Sequence, residues 1–126
     1  MLKTSNLQKY VIGMDHTIKE AIATISLNLT RCAIVTRQPN IVVGVLSEGD
    51  IVRYLMDDVS LYTPVGKLVK PSFKYLNKID MTLAIELLRT TGVTLIPVVD
   101  KSFALESVIT IHDILDNLFD STDSTS

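Results

Sequence analysis

Apolar residues recur along the chain in two patterns, one typical of helices and one typical of strands. Between residues 18 and 29 they return every three or four positions, which predicts an amphipathic helix with Thr17 as its N-cap. Two short runs rich in β-branched residues follow, Cys32–Thr36 and Ile41–Leu46, with a Pro-Asn turn between them. A second helix is then predicted to begin after Ser47.

The second half of the chain shows the same patterns in the same order. Leucines at helical spacing run up to Gly92, and two strand-like runs follow, Leu95–Val99 and Ala104–Ile109. A last helix carries its apolar residues on one face between residues 111 and 118. Each half also needs an opening strand, which we expect near Tyr10–Ile12 and Lys74–Leu76.

The two halves are copies of one unit. Asp113 follows Asp50 by 63 residues, and each stands three positions after a hydroxyl residue at a strand-to-helix junction, Ser47 or Thr110. The fold class predicted is α/β (α+β), with two βαββα repeats packed about a pseudo-twofold axis. A repeat of about 60 residues buries too little surface to be stable alone, so the two should pack together and leave a cleft between them.

The repeat sets the expected domain organisation. Residues 1–62 form the first repeat, and residues 63–119 form the second, including a short joining helix that begins at Thr63-Pro64. Residues 120–126 contain only Asp, Ser and Thr and are expected to be a disordered tail.

Composition and charge narrow the classes of function. The chain has 126 residues, of which 47% are hydrophobic and 21% charged, with a formal net charge of −2. It has no basic stripe that would indicate a nucleic-acid partner, and its apolar runs are shorter than the roughly 20 residues of a membrane span. Cys32 is the only cysteine, and the N-terminus is polar, unlike a signal peptide. We therefore expect a cytoplasmic protein.

The repeated hydroxyl-x-x-Asp junction has two interpretations. Ser47 with Asp50, and Thr110 with Asp113, each fit a capping box, which satisfies free N–H groups of the first helical turn. The same helix N-terminus attracts phosphate, and the Asp could accept hydrogen bonds from ribose hydroxyls. Gly44 would let a flat base approach the strand closely. The spacing alone leaves both interpretations open.

The segments Gly44–Ile51 and Ile96–Asp100 carry a resemblance to a known family. With the repeated βαββα order, they make residues 10–119 similar to a CBS-domain pair, also called a Bateman module. The stretch from Ser47 to Val65 resembles the pairs found beside sugar-phosphate nucleotidyltransferase domains. The resemblance implies a regulatory module that binds AMP, ADP, ATP or a related nucleoside between its repeats and needs no cofactor. It also implies a homodimer and a fused or associated enzyme.

The resemblance assigns roles to individual residues. Ser47 and Thr110 would contact phosphate, while Asp50 and Asp113 would contact ribose, and Arg53 could neutralise phosphate charge. We expect the Asp50 cleft to be favoured, because the second copy has Ser107 beside Glu106 in place of Gly44, and Leu95 in place of Arg31. The whole set of expected ligand-binding residues is Ser47, Asp50, Gly44, Arg31, Ala33, Arg53, Thr110, Asp113 and Pro97, with Leu95 as a further lining residue.

Catalysis is not predicted for this chain. The sequence contains no nucleophile–base–orienter set, no cluster with metal-ligand spacing and no glycine-rich phosphate loop. His16 and His112 lie beside helix starts and fit surface or capping roles. Two alternatives remain. One is a structural dimerisation module with vacant clefts that pairs through the Val52–Met56 and Leu115–Phe119 helix faces, and the other is a regulatory fragment of a nucleotidyltransferase.

Overall fold

The structure, a computed structural model, describes residues 4–124, with side chains described for residues 7–119. The first repeat contains a 3-10 helix (Thr4–Tyr10), β1 (Val11–Gly13), α1 (Ile18–Leu27), β2 (Cys32–Arg37), β3 (Ile41–Ser47) and α2 (Glu48–Met56). After a linker with a 3-10 helix (Val65–Lys67), the second repeat contains α3 (Met81–Thr91), β4 (Leu95–Val99), β5 (Leu105–Thr110) and α4 (Ile111–Ser124).

The strands form two small sheets whose registers confirm the internal repeat. β1 lies parallel to β2, β2 pairs with β3 in antiparallel fashion, and β4 pairs with β5 in the same way. Cys32 pairs with Ser47, and Leu95 pairs with Thr110, 63 residues further on. Each hydroxyl-x-x-Asp turn therefore lies where a strand ends and the next helix begins.

Three predicted boundaries differ from the structure. The opening strand expected at Lys74–Leu76 is reduced to a single parallel bridge between Leu76 and Val98, because only Leu76 is buried while its neighbours face solvent. The backbone of α4 continues as helix to Ser124, although we expected a disordered tail from residue 120. Helical hydrogen bonds join backbone groups and need no buried side chain, so a polar segment can extend a helix. Residues 125–126 lie outside the described residues.

The joining helix also differs from its expected place. It was assigned to the second repeat, but it packs on the first, where Val65 is fully buried against α1 and α2. The amides of Val65 and Gly66 donate to the carbonyls of His16 and Met14, at 2.8 and 2.9 Å. These hydrogen bonds hold the linker beside the start of α1.

The hydrophobic core has three parts. One lies beneath α1 and α2 and another beneath α3 and α4, each within its own repeat. The third joins the repeats and is made of Leu7, Tyr10, Ile34, Val42, Leu95, Val99, Leu105 and Val108. This shared part fixes how the two repeats face each other. Within the described residues, no helix is both long and apolar enough to cross a membrane.

Candidate functional site

The turn from β3 into α2 is a complete capping box. The Ser47 Oγ accepts a hydrogen bond from the Asp50 amide at 3.1 Å, while Asp50 Oδ2 accepts from the Ser47 amide at 2.8 Å and from its hydroxyl at 2.9 Å. The other carboxylate oxygen, Oδ1, accepts from Arg53. The capping interpretation is therefore confirmed, and any ligand would have to bind at groups that also hold the helix start.

The turn from β5 into α4 has the same geometry. Asp113 Oδ2 accepts from the Thr110 amide at 2.8 Å and from its hydroxyl at 3.1 Å, and the Asp113 amide donates back to Thr110 Oγ1 at 3.2 Å. The two turns differ in accessibility, since Thr110 is only 2% exposed, whereas Ser47 is half-buried. The two capping boxes therefore have the same geometry, but their hydroxyl residues differ in exposure to solvent.

An apolar cavity of about 340 Å³ opens beside Ser47. Cys32 and Val45 contribute one wall from the first repeat, and Val93 and Leu95 contribute the other from the second. The cavity therefore lies in the cleft between the repeats, as the sequence predicts for a ligand site. Leu95 lines it as expected, while Gly92 at the end of α3 leaves its rim without a side chain.

A second, charged cavity of about 390 Å³ adjoins the first, because Val45 and Phe73 line both. Its charged lining consists of two carboxylates, Asp50 and Asp57, and two cations, Arg53 and Lys70. An apolar chamber and a charged chamber thus meet at the Ser47–Asp50 turn. We call this pair of cavities the open cleft.

The linker supplies one side of the open cleft. Phe73 belongs to an aromatic cluster in which its ring centroid lies 5.5 Å from that of Tyr75 and 6.3 Å from that of Phe103. Earlier in the linker, the Leu68 carbonyl accepts a hydrogen bond at 3.3 Å from the hydroxyl of Tyr54, a residue of α2. Burial raises the pKa of Tyr54, so this phenol keeps its proton. The linker is therefore anchored on both sides of Lys70.

Cys32 lies where the two repeats touch. Its Sγ is 3.5 Å from the Thr94 Oγ1, and the Thr94 hydroxyl donates to the Thr30 carbonyl at 2.8 Å. Burial raises the pKa of the Cys32 thiol, with the Thr94 contact acting in the opposite direction. The thiol is therefore neutral near pH 7 and adds no charge to the apolar cavity.

Gly44 does not leave space for a base, contrary to the expectation from the sequence. A Cβ at this position would lie 2.8 Å from the Val69 Cβ and 3.3 Å from the Lys70 carbonyl oxygen. The linker already occupies the space above the strand. The glycine is needed because linker and strand approach closely, and it contributes to the site only by placing Lys70.

Replacing Gly44 by alanine should destabilise the fold by about 1–3 kcal/mol, the usual cost of overpacking, because the added methyl overlaps the Val69 side chain. Denaturant unfolding followed by circular dichroism measures the change. Gly13→Ala is the matched control, since nothing lies within 4 Å of a Cβ at that strand position. Equal stability of the two variants would contradict the close contact.

The remaining predicted residues divide into two groups. Arg53 lines the charged cavity, as expected. Arg31 instead points to the outside, where it pairs with Glu48 at 3.5 Å and its side chain is 75% exposed. Ala33 and Pro97 are fully buried in the central strands. The open cleft therefore brings together Ser47, Asp50, Arg53 and Leu95, but it excludes Arg31, Ala33, Gly44 and Pro97.

Arg31 has a different repeat partner from the one that the sequence suggests. The Arg31 carbonyl accepts from the Glu48 amide at 3.0 Å, and the Thr94 carbonyl accepts from the Ile111 amide at 2.8 Å, 63 residues further on. Thr94 and not Leu95 therefore corresponds to Arg31. The asymmetry of charge between the two clefts remains, because neither Thr94 nor Leu95 is basic.

The sequence interpretation missed the contribution of the linker. Lys70, Phe73 and Lys74 line the open cleft, although Lys70 and Phe73 lie between the predicted elements and Lys74 was expected only as part of a strand. The sequence signal for this contribution is an aromatic residue with a lysine on either side. Among the described residues, no three His, Cys, Asp or Glu side chains are grouped to hold a metal ion.

The comparisons with known proteins agree with this fold. A family profile described as the CBS domain matches residues 7–57. The chain is 26% identical to a CBS domain protein of Pyrobaculum aerophilum, solved in complex with AMP, with a TM-score of 0.70, covering 94% of this chain and 98% of that one.

Residues 7–57 are a CBS domain, and the fold is that of a CBS-domain pair. A CBS domain protein of Streptococcus pneumoniae superposes with a TM-score of 0.79 at 22% identity, covering 98% of this chain and 82% of that chain. An uncharacterized protein of Helicobacter pylori (strain ATCC 700392 / 26695) is 33% identical over 119 residues, which are 92% of this chain. The CBS pair spans only 35% of the length of that relative. CBS pairs are regulatory and not catalytic modules.

Proposed function

We propose that this CBS pair is a regulatory module that senses an adenine nucleotide (AMP, ADP or ATP), or a related nucleoside, in the open cleft. The observation that carries the proposal is the meeting of an apolar and a charged cavity at the Ser47–Asp50 turn. A nucleotide has the same two halves, a flat base and a charged phosphate, joined by a sugar that can donate to a carboxylate.

The apolar half of the cleft suits the base. Val45, Leu95 and the Phe73 ring present hydrocarbon and aromatic surface, on which a flat ring gains free energy by leaving water. Residues 91–94 border the same cavity, so a polar group of this segment could distinguish one base from another.

The charged half suits the sugar and phosphate. Arg53 and Lys70 supply positive charge beside the carboxylates of Asp50 and Asp57, and the positive end of the α2 dipole adds to it. Asp50 would accept from the ribose while keeping its bonds to Ser47. Arg53 now pairs with Asp50, so a bound phosphate would compete for it.

A ligand screen by thermal unfolding tests the proposal. A nucleotide present at 100 times its dissociation constant should stabilise the CBS pair by about 2.7 kcal/mol. AMP, ADP, ATP, nicotinamide dinucleotides and S-adenosylmethionine form the panel, with inorganic phosphate and adenine as partial ligands. If no member of the panel shifts the unfolding temperature, the sensing function is wrong.

The proposal includes an enzyme that this module regulates. Because the CBS pair spans 35% of its Helicobacter relative, fusion to another domain or association with a separate enzyme is part of the proposal. The link to a sugar-phosphate nucleotidyltransferase stays a prediction from the sequence, as does the cytoplasmic location. We expect neither nucleic acid nor membrane as a partner.

Homodimer formation, the alternative structural function, is favoured by exposed apolar side chains on α2 and α4. Val52 is 50% exposed, Met56 78%, Leu115 52% and Phe119 68%. Surfaces of this kind lose unfavourable contact with water when two copies pair. Pairing and ligand sensing use different surfaces, so the two functions are compatible.

Replacing both Met56 and Phe119 by glutamate should convert a dimer of the chain into a monomer, since four carboxylates would be buried in the interface. Light scattering after gel filtration measures the mass. Leu27→Glu is the control, because Leu27 is 83% exposed but lies outside these two helices. A monomeric unmodified chain at tens of micromolar would contradict the dimer.

A further inference from the structure

We propose that Asn28 closes the second cleft of the CBS pair, so that the chain offers one ligand site and not two. Asn28 is the first residue after α1, and it is only 5% exposed. Nothing in its sequence context distinguishes it from an ordinary helix C-cap. Its contacts reach much further than a cap requires.

The Asn28 amide connects three separate segments. Its Nδ2 donates to the Cys32 carbonyl at 2.9 Å and to the Lys9 carbonyl at 3.3 Å, as well as to the Thr24 carbonyl within its own helix at 3.2 Å. Its Oδ1 accepts from the Thr30 amide at 3.0 Å and hydroxyl at 2.8 Å. One buried side chain therefore holds the N-terminal 3-10 helix against the start of β2.

The corresponding residue in the open cleft keeps the local contacts but not the long-range ones. Thr91, 63 residues after Asn28, is exposed; its hydroxyl donates to the Leu87 carbonyl of its own helix at 2.5 Å and accepts from the Val93 amide at 3.4 Å. Gly92 follows with a φ of 74° and borders the apolar cavity. The short side chain of Thr91 and the absence of one at Gly92 leave this rim open, whereas the first repeat has the buried amide of Asn28 at the corresponding place.

Residues at repeat-related positions differ in burial, which shows that the second cleft is closed. Val45 and Ser47 are half-buried in the open cleft, but their partners Val108 and Thr110 are 0% and 2% exposed. Tyr10 is 6% exposed beside Val108 in the shared core. The second cleft is therefore filled by Tyr10 and by the loop after α1, and Asn28 ties these two together through the Lys9 carbonyl.

Thr110, one of the residues predicted to bind ligand, thus lies in a closed cleft. It keeps its capping box with Asp113, but a nucleotide could reach the Thr110 hydroxyl only if the N-terminal 3-10 helix moved. The closure rests on geometry alone. The statement that one ligand binds per chain rests, in addition, on the proposed function.

Cysteine reporters test the closure without any ligand. In a Cys32→Ala background, Val45→Cys reports on the open cleft and Val108→Cys on the second. We expect a soluble maleimide to label Val108→Cys about 100-fold more slowly than Val45→Cys, because labelling then requires local opening. Equal rates in the protein that retains Asn28 would overturn the closure.

The role of Asn28 itself is tested by Asn28→Asp, which keeps the acceptor toward Thr30 but removes both donors toward Lys9 and Cys32. This change should raise the Val108→Cys labelling rate by roughly tenfold and leave the Val45→Cys rate unchanged. Asn28→Thr, which copies Thr91, is the second variant, and circular dichroism confirms folding of each. If folded variants label Val108→Cys no faster, Asn28 is not the closing residue.

Ligand titration separates this inference from the proposed function. One AMP or ATP per chain is expected, and a stoichiometry of two would overturn the single-site statement. If no nucleotide binds at all, the proposed function fails, and the labelling rates still decide whether the second cleft is closed.

Discussion

Replacing Asp50 by alanine should abolish the nucleotide-dependent rise in unfolding temperature, a loss of about 2.7 kcal/mol at a ligand concentration of 100 times the dissociation constant. The change removes the carboxylate that accepts from Ser47 and Arg53 and that we assign to the ribose. It also frees Arg53, so the variant has more positive charge beside the phosphate site. Loss of binding despite that extra charge would point to the ribose contact.

Asp113→Ala is a closely matched control. Asp113 and Asp50 make the same capping box, so each substitution should cost about 0.5–2 kcal/mol of stability through the lost cap. Only Asp50 borders the open cleft. A ligand response that survives Asp50→Ala, or that disappears in both variants, would show that the site is misassigned.

Replacing Ile34 by alanine should lower the free energy of unfolding by about 2–5 kcal/mol, the usual range for an emptied core position. Ile34 lies in the central strand β2, paired with Val11 on one side and Val45 on the other, and it is fully buried in the core that the repeats share. The cavity would form where both repeats meet and could not be filled by adjusting one of them.

Urea unfolding followed by far-ultraviolet circular dichroism measures this loss. Leu27→Ala is the comparison variant, because it removes as much hydrocarbon from a side chain that is 83% exposed and should change stability by less than about 0.5 kcal/mol. If Ile34→Ala costs no more than Leu27→Ala, the repeats do not share a core.

Most of the fold could be predicted because the same order of helix and strand patterns occurs twice in the sequence. The helix that ends at Gly92 and the strand Leu95–Val99 were predicted correctly, since periodicity and a glycine cap are local signals. The capping boxes at Ser47 and Thr110 are equally local. Lys74–Leu76 was wrong as a strand because a single buried leucine satisfies the neighbouring sheet edge through two hydrogen bonds.

The site was harder to predict because tertiary contacts decide it. Gly44 suggested open space, and only the path of the linker shows that Val69 fills it. Asn28 looked like the end of a helix, and only its bond to Lys9 connects it to the other cleft. Sequence spacing finds the turns in both repeats, but it does not show which neighbour covers each one.

Each repeat is covered in part by a segment that lies outside it in the chain. The N-terminal 3-10 helix of the first repeat packs Leu7 and Tyr10 beside β5 of the second, while the linker ahead of the second buries Val65 in the first. The halves are thus interlocked and not merely adjacent. An interlocked pair unfolds as one cooperative unit, since neither half keeps its covering when the other is lost.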